Sequence, residues 1–309
     1  MKCSKHPLSY SEQIKKLKKR GLNISNQTTA VNYLSNISYY RLRAYTYPFQ
    51  NNRDENANHS FLRKDIHFED IISLYCFDRR LRCLIFNAIE KIEIAFRTKV
   101  VYEYAMATNN SHWFLDEALF FEKDKYDKLL QDFNSEVARS NEDFVQHYKT
   151  KYNETQLPPA WMTLEVLSLG TLSRFYSSLK KSETKTSIAK SFGLPNPDFL
   201  VNWMHAISVL RNHCAHHSRI WNRRFTVISI RFPHNTSFPF MTKENFVNIR
   251  NNKLFAFISC IKYFLNIISP NSDFKKNLLQ IIDEGGALLQ LRDMGFPENW
   301  QNLDVWKEK

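Results

Sequence analysis

The sequence predicts a mainly α-helical protein with one small β element. Only 6 of its 309 residues are glycine, and few glycines suit helices joined by short loops. Apolar residues recur at helical spacing over long stretches, above all between Ile66 and Met106. Residues Thr226 to Phe232 alternate instead as a strand does, and Pro233 ends them.

Residues that are typical of helix ends predict the first elements. Ser9-x-x-Glu12 has the pattern of a capping box and Gly21 that of a helix stop, which predicts a helix over 9–21. A second helix is expected over 28–37, leading into the aromatic segment 39–47, which Pro48 ends. The polar residues 50–60 predict a loop or linker.

One long helix is expected from Ile66 to about Met106, because no proline or glycine interrupts the pattern. Two pairs of opposite charge, Asp78 with Arg82 and Glu93 with Arg97, stand four residues apart on it. Its core face is predicted to hold Ile71, Leu74, Leu81, Leu84, Ala88, Ile92 and Ala95. Further helices are expected at 123–140, 142–151, 161–168, 172–180, 184–192, 243–268 and 272–284. Another helix is expected to begin at Asp198 and to continue into the polar stretch 210–224.

These elements suggest three parts. Residues 1–60 form an N-terminal helical segment, residues 61–225 a core that carries the chemistry, and residues 226–309 a mostly helical C-terminal region. The sequence indicates no role for the last part.

Charge and cysteine content narrow the class of protein. Lysine and arginine exceed aspartate and glutamate by 43 to 31, and the net charge of +12 favours a polyanionic partner. The five cysteines are scattered without a CxxC pair, which argues against a disulfide framework or a Cys-rich zinc site and fits a reducing cytoplasm. The N-terminus lacks a signal-peptide core, and no apolar run reaches the roughly 18 residues of a membrane span. A cytoplasmic protein without a membrane partner is expected.

The densest polar stretch is residues 210–224, LRNHCAHHSRIWNRR, at the end of an apolar helix. Arg211 and His216 stand in an Arg-x4-His spacing, with Asn212 directly after the arginine. On an ideal helix Leu200, Trp203, Ile207, Leu210 and Cys214 share one core-facing stripe, and Asn212 and His216 point away from it. Cys214 is therefore predicted to be a core residue, not a nucleophile. Arg211 and His216 lie about 140° apart around such a helix.

These residue types suit RNA cleavage without a metal ion or other cofactor. The RNA 2′-hydroxyl attacks the adjacent phosphate while imidazole transfers protons, and a guanidinium stabilises the charge that develops on phosphate oxygens. Asn212 would orient His216 or hold a phosphate oxygen. Arg219, Arg223 and Arg224, with Trp221 among them, would hold flanking nucleotides by charge and stacking.

Two other interpretations of the stretch stay open. His213 and His217 are four residues apart, as in some zinc sites, but no third ligand is evident. A polar helix end, whose histidines and arginines favour the negative pole, explains the composition without any chemistry.

Several separated segments resemble those of the abortive-infection proteins of AbiD/AbiF type, a family of bacterial anti-phage proteins. They occur in order over residues 8–225, and the segments are YYRLRAYTYPF at 39–49, FEDII at 68–72, FDRRL at 77–81, AIEKIEIAFRT at 88–98, LPPAWMTLEVLSLGTLS at 157–173, FGLP at 192–195 and RNHCAHHSRIWNR at 211–223. The residues after Phe225 carry no such signature.

The resemblance implies a HEPN-type helical bundle, in which Arg-x4–6-His marks metal-independent RNases that work as dimers. Carried over, Arg211 and His216 take the catalytic positions and Asn212 the polar one, while His217 also satisfies an Arg-x5-His spacing. Glu90, Glu93 and Arg97 either support this site or form only ion pairs within their helix. Tyr40, Arg41 and Arg43 lie in a matching segment, where the two arginines either bind RNA or serve packing.

The residues of the motif and the resemblance support two alternative functions. The first is a toxin-like endoribonuclease that acts on host or phage RNA during abortive infection. The alternative is a non-catalytic HEPN module that binds RNA or senses infection. The expected partners are RNA, as substrate and also as a small regulatory RNA, and a second copy of the chain.

Overall fold

The structure, a computed structural model, describes residues 6–52, 58–152 and 156–307. Within these residues it contains thirteen α-helices and no strand, which confirms the mainly α prediction, whereas the HEPN-type bundle stays a prediction. The helices are α1 Tyr10–Lys19, α2 Gln27–Ile37, α3 Tyr39–Thr46, α4 Phe68–Thr108, α5 Lys123–Arg139, α6 Asp143–Lys151, α7 Ala160–Thr163, α8 Leu169–Ser178, α9 Glu183–Ser191, α10 Pro197–Ala215, α11 Lys243–Phe246, α12 Leu254–Ile268 and α13 Phe274–Asp283.

The chain divides into two compact units, and the boundary falls inside α4. The first unit comprises Met1–Arg82 and Lys276–Gln290, and the second comprises Cys83–Lys275 and Leu291–Lys309. The predicted three-part division at residues 60 and 225 stays a prediction.

In the first unit, local signals set the helix ends and a buried ionic group joins two helices. The Ser9–Glu12 capping box forms as expected, and Gly21 follows α1 at a φ of +97°. The Asp78 carboxylate, fully buried on α4, accepts hydrogen bonds from the Tyr45 hydroxyl of α3 at 2.6 Å and from Arg82. The predicted pairing of Asp78 with Arg82 is therefore confirmed, with Tyr45 as an additional partner.

In the second unit, α10 lies at the centre and packs against α8, α9 and α12. α12 is apolar except for Ser259, Lys262 and Asn266, and it is buried along most of its length, as such helices are in a protein core. The ring of Trp203 on α10 contacts those of Phe240, Tyr263 and Phe264, with centroids 5.2–5.5 Å apart. This aromatic cluster holds α10 against α12 and so positions the end of α10.

The small β element predicted at Thr226–Phe232 is not present: this segment is not a strand. Instead, side chains of α10 provide many of its hydrogen-bond partners. The Asn202 side chain donates to the Ser229 carbonyl at 3.1 Å and accepts from the Arg231 N–H at 2.8 Å, and the Trp203 indole donates to the Arg231 carbonyl at 2.9 Å. A strand needs a neighbouring strand for its backbone groups, and side chains take that place here.

The helix predicted over 243–268 is also wrong as a single element. α11 ends at Phe246, a turn region follows, and α12 begins at Leu254. The interruption carries the two cationic residues Arg250 and Lys253. No helix in the described residues is both long enough and apolar enough to cross a membrane.

Candidate functional site

The motif helix α10 begins and packs as its sequence predicts. Asn196 caps its N-terminus by accepting the Asp198 N–H at 3.0 Å, and Pro197 occupies the first turn, where a missing N–H costs nothing. The predicted core stripe is confirmed, because Leu200, Trp203, Ile207, Leu210 and Cys214 are all buried. Arg211, at the edge of the stripe, is half-buried, and Asn212 and His216 are exposed.

The helix ends inside the motif. The His216 N–H bonds to the Asn212 carbonyl at 2.9 Å, so His216 is the last residue that follows the helical path. His217 then takes a φ of +55°. Its N–H bonds to the Cys214 carbonyl at 3.1 Å, and the Ser218 N–H reaches back to the His213 carbonyl at 2.9 Å. This pair of bonds is the Schellman motif, in which glycine usually holds the position that His217 occupies here.

This helix end separates the roles of the histidines. His213 is half-buried on the last turn, whereas His217 lies beyond it in the left-handed region, so the two are not helical neighbours as a two-histidine zinc site would need. The described residues contain no group of three or more His, Cys, Asp or Glu side chains placed to hold a metal ion. His216, in contrast, is exposed and is the C-cap residue directly after the last helical residue, Ala215.

Arg211 lies beside a pocket of about 260 Å³ between α10 and the part of α4 in the same unit. Its guanidinium carbon is 5.6 Å from the centroid of the Phe86 ring, and its Nη1 donates a long hydrogen bond of 3.5 Å to Asn212. The pocket is lined by Phe86, Ile89, Glu90, Glu93, Ile94, Arg97 and Arg211. The three α4 residues that the sequence suggested as supports, Glu90, Glu93 and Arg97, therefore line the same pocket as Arg211.

Arg97 forms the base of this pocket and is nearly buried. Its Nη2 donates to Glu93 and to the Leu167 carbonyl, both at 2.8 Å, and its Nη1 lies 3.6 Å from Glu165. The ion pair predicted between Glu93 and Arg97 is confirmed, and it also ties α4 to the segment after α7. The bonds keep Glu93 in place beneath the pocket.

Arg211 and His216 differ in their surroundings. Both have side chains off the core stripe, and no hydrogen bond in the described residues joins them. The Arg211 guanidinium lies over Phe86 of α4, whereas His216 is the exposed C-cap of α10. On an ideal helix the two positions lie about 140° apart around the axis.

The predicted stacking role of Trp221 does not fit its position, because the residue is fully buried. Its ring is covered by Arg219, whose guanidinium carbon is 5.8 Å from the ring centroid. A base cannot stack on a ring with no exposed face, so Trp221 anchors the loop instead. Arg223 is also held by the loop, with Nε donating to the Arg219 carbonyl at 2.6 Å, whereas Arg224 is exposed.

The pKa of His213 is lowered from the ordinary histidine value. Burial lowers its pKa, and the nearby Arg223 and His216 act in the same direction. Its ring meets that of Phe225 edge-on at 5.7 Å. Its neutral form is thus favoured in the folded protein, which suits a residue that packs the helix end against the loop.

Sequence reasoning missed several residues of the site. Phe86 under Arg211, and Glu165 and the Leu167 carbonyl around Arg97, are distant in sequence from the residues they contact. Glu165 and Leu167 do lie in the segment 157–173 that carries the family resemblance, which was the only available signal. Arg41 and Arg43 lie on α3 in the first unit, and their RNA contacts stay a prediction.

A comparison with known families identifies residues 32–222 as matching the family described as Abi-like protein. The matched range begins within α2, contains α3 to α10 and ends inside the polar stretch 210–224, and the separated segments that carry the resemblance lie almost entirely within it. It does not distinguish AbiD from AbiF types. No curated protein and no solved structure matches the chain significantly.

Proposed function

The chain belongs to the Abi-like protein family, and from this membership together with the geometry of its site we propose that it is a metal-independent endoribonuclease of abortive infection. Family membership supports a role in phage defence. The observation that carries the enzymatic part is the position of Arg211 and His216. Both side chains lie off the core stripe of α10: Arg211 lines the pocket beside Phe86, and His216 is exposed at the helix end.

The chemistry follows from these two side chains. The 2′-hydroxyl oxygen attacks the adjacent phosphorus, and the bond from phosphorus to the 5′-oxygen breaks. One imidazole accepts the hydroxyl proton and another, protonated, gives a proton to the leaving 5′-oxygen. Arg211 stabilises the charge that builds on the phosphate oxygens. The products are a 2′,3′-cyclic phosphate and a 5′-hydroxyl.

A second copy of the chain supplies the second imidazole. In the displacement the attacking 2′-oxygen and the leaving 5′-oxygen lie on opposite sides of the phosphorus, so one imidazole does not reach both. On an ideal helix His216 also lies about 140° around the axis from the Arg211 of its own chain. The surface around Arg211 supports association, because Phe86 and Ile94 beside it are 39% and 54% exposed. Exposed large apolar side chains that line one pocket mark a protein contact. In the proposed homodimer two arginines and two histidines meet in one HEPN-type cleft.

Glu90, Glu93 and Arg97 act as supports in this proposal. The buried Arg97 holds Glu93, and the two carboxylates in the pocket attract the guanidinium of Arg211. Arg219, Arg223 and Arg224 hold RNA next to the cleft. His217, strained and beyond the helix end, serves the turn.

The test is cleavage of end-labelled single-stranded RNA by the purified protein in excess EDTA. We expect cleavage to persist and to leave 2′,3′-cyclic phosphate ends. Activity that disappears in EDTA and returns with magnesium or zinc would contradict the mechanism. A protein that binds RNA but cuts none under any of these conditions would favour the non-catalytic module.

A further inference from the structure

A cluster of cations lies where the loop after α10 meets the start of α12, in the second unit. It consists of Arg219, Arg224, Arg250 and Lys253, and is called the basic cluster here. Two of its members come from the C-terminal region, for which the sequence indicated no role. The exposed guanidinium groups of Arg224 and Arg250 form no ion pair with any residue that the structure describes.

The backbone that carries the cluster is firmly built. Arg224 and Lys253 form an antiparallel bridge, and the Phe225 N–H donates to the Asn252 carbonyl at 2.9 Å. The Phe225 ring packs on Phe257 of α12 with centroids 4.3 Å apart. The Lys253 ammonium donates to Asn222 at 3.1 Å and to the Asp293 carbonyl at 2.9 Å. These contacts hold the cations close together although they repel one another.

The electrostatics of the cluster are unfavourable without an anion. Burial lowers the pKa of Lys253, and Arg250, Arg219 and Arg224 lower it further, while Asp293 acts in the opposite direction. Lys253 is also the N-cap of α12 and makes no side-chain capping bond. A cation there opposes the positive pole of the helix, where an acidic residue or a bound anion is favoured.

The basic cluster lies near the end of α10, which carries the candidate catalytic residue His216. Arg223 bonds to the Arg219 carbonyl at 2.6 Å and lies close enough to His213 to lower its pKa, and His216 does the same from the helix end. A polyanion bound across Arg250, Arg224 and Arg219 therefore runs toward the end of α10. Several cations on one surface attract the phosphates of a nucleic-acid strand whatever its sequence.

We propose that the basic cluster binds the phosphate backbone of single-stranded RNA and leads it to the end of α10, so that the C-terminal region serves as a substrate-binding element. The choice of RNA as the polyanion rests on the proposed function. Phosphate contacts of this kind position a strand without reading its bases. The cluster would therefore increase affinity for RNA of any sequence.

The experiment measures binding of the full-length protein to a fluorescent 2′-O-methyl RNA of roughly 16 nucleotides, a length within the range of single-strand sites. This RNA lacks the attacking hydroxyl, so binding is separated from cleavage. We expect Arg224→Gln and Arg250→Gln each to weaken binding about fivefold at about 0.1 M salt and to reduce the log–log salt slope by about 0.7, as the loss of one phosphate contact does. Lys190→Gln, which removes one exposed charge from α9, is the matched control and should change little.

Two outcomes overturn the inference: wild-type protein that does not bind the RNA, or cluster variants that bind like the Lys190→Gln control. Normal circular dichroism of the variants, whose altered side chains are exposed, excludes misfolding as the cause of weaker binding. If the cluster variants lose affinity but the wild type never cuts RNA, this inference stands and the nuclease proposal fails. If cleavage occurs and the cluster variants bind RNA as the wild type does, the nuclease proposal stands and this inference fails.

Discussion

The backbone N–H of Ser218 donates to the carbonyl of His213 at 2.9 Å, and this bond closes the end of α10 around the intervening histidines. In this helix end His216 is the C-cap, with a φ of −86°, and His217 takes a φ of +55°. The Arg-x4-His and Arg-x5-His spacings, equivalent in the sequence, become structurally different. His216 is free of the strain and His217 is used in the turn.

This difference predicts the outcome of three substitutions. Arg211→Ala and His216→Ala should each abolish RNA cleavage and phage protection while the unfolding free energy changes little, because neither side chain fills the core. His217→Gly should keep activity and raise the unfolding free energy by up to about 1 kcal/mol, since glycine tolerates the left-handed conformation that costs other residues roughly 1–2 kcal/mol.

Cleavage assays and urea unfolding of the three purified variants provide the measurements. If His217→Gly loses activity and His216→Ala keeps it, the catalytic histidine has been assigned to the wrong position. If Arg211→Ala and His216→Ala fold normally and still protect cells, the whole site is wrong.

A composite site predicts that one inactive chain disables its wild-type partner. When a His216→Ala chain and a wild-type chain are co-expressed with different tags, the mixed dimer keeps both arginines but only one of the two imidazoles. We expect it to cleave RNA far more slowly than the wild-type dimer, whereas a site complete within one chain would keep the activity of the wild-type half. Tandem affinity purification followed by an RNA assay measures the cleavage rate of the mixed dimer.

The apolar surface beside Arg211 offers an independent test of the dimer. Ile94→Glu places a charge on an exposed apolar residue of the pocket and should yield monomers with no cleavage activity. Val247→Glu changes an even more exposed apolar residue outside α4 and α10, and is the matched control. Wild-type protein that is monomeric by light scattering, with activity linear in enzyme concentration, would exclude the composite site.

His213 predicts a pH dependence of stability. Its pKa is lowered in the folded protein, so the unfolded chain binds the proton first as the pH falls. Its stabilising contribution is therefore present above the ordinary histidine pKa of about 6.5 and is lost as the pH drops through the lower folded value. His213→Asn should lose less stability than the wild type between about pH 7 and 5. Parallel curves for the two proteins in urea titrations would contradict this assignment.

The buried ionic group of the first unit predicts a large loss of stability. Asp78→Leu leaves the Arg82 guanidinium buried without its carboxylate and should cost about 3–5 kcal/mol of unfolding free energy. Tyr45→Phe removes one hydrogen bond to Asp78 and should cost only about 1 kcal/mol. The double variant Asp78→Leu with Arg82→Met should recover much of the loss, because it leaves no unpaired charge. A double variant as unstable as Asp78→Leu would show that packing, not charge, dominates.

The sequence by itself determined the features that depend on residues close together in the chain. The 3.6-residue repeat predicted α4 and the core stripe of α10, and the four-residue spacing predicted the Asp78–Arg82 and Glu93–Arg97 pairs. It also identified Arg211 and His216 as polar residues off that stripe. All of these follow from the geometry of one helix, which is local.

Only the tertiary structure decided what depends on partners distant in sequence. Residues 226–232 have the alternation of a strand, but the side chains of α10 take their backbone groups, so no sheet forms. Trp221 is buried, although its basic neighbours predicted an exposed stacking ring. Arg211 meets Phe86 of α4, and Arg224 and Arg250 both lie near Lys253, only because segments distant in sequence fold against one another. Periodicity shows which face of a helix is apolar, but it carries no information about which distant segment covers that face.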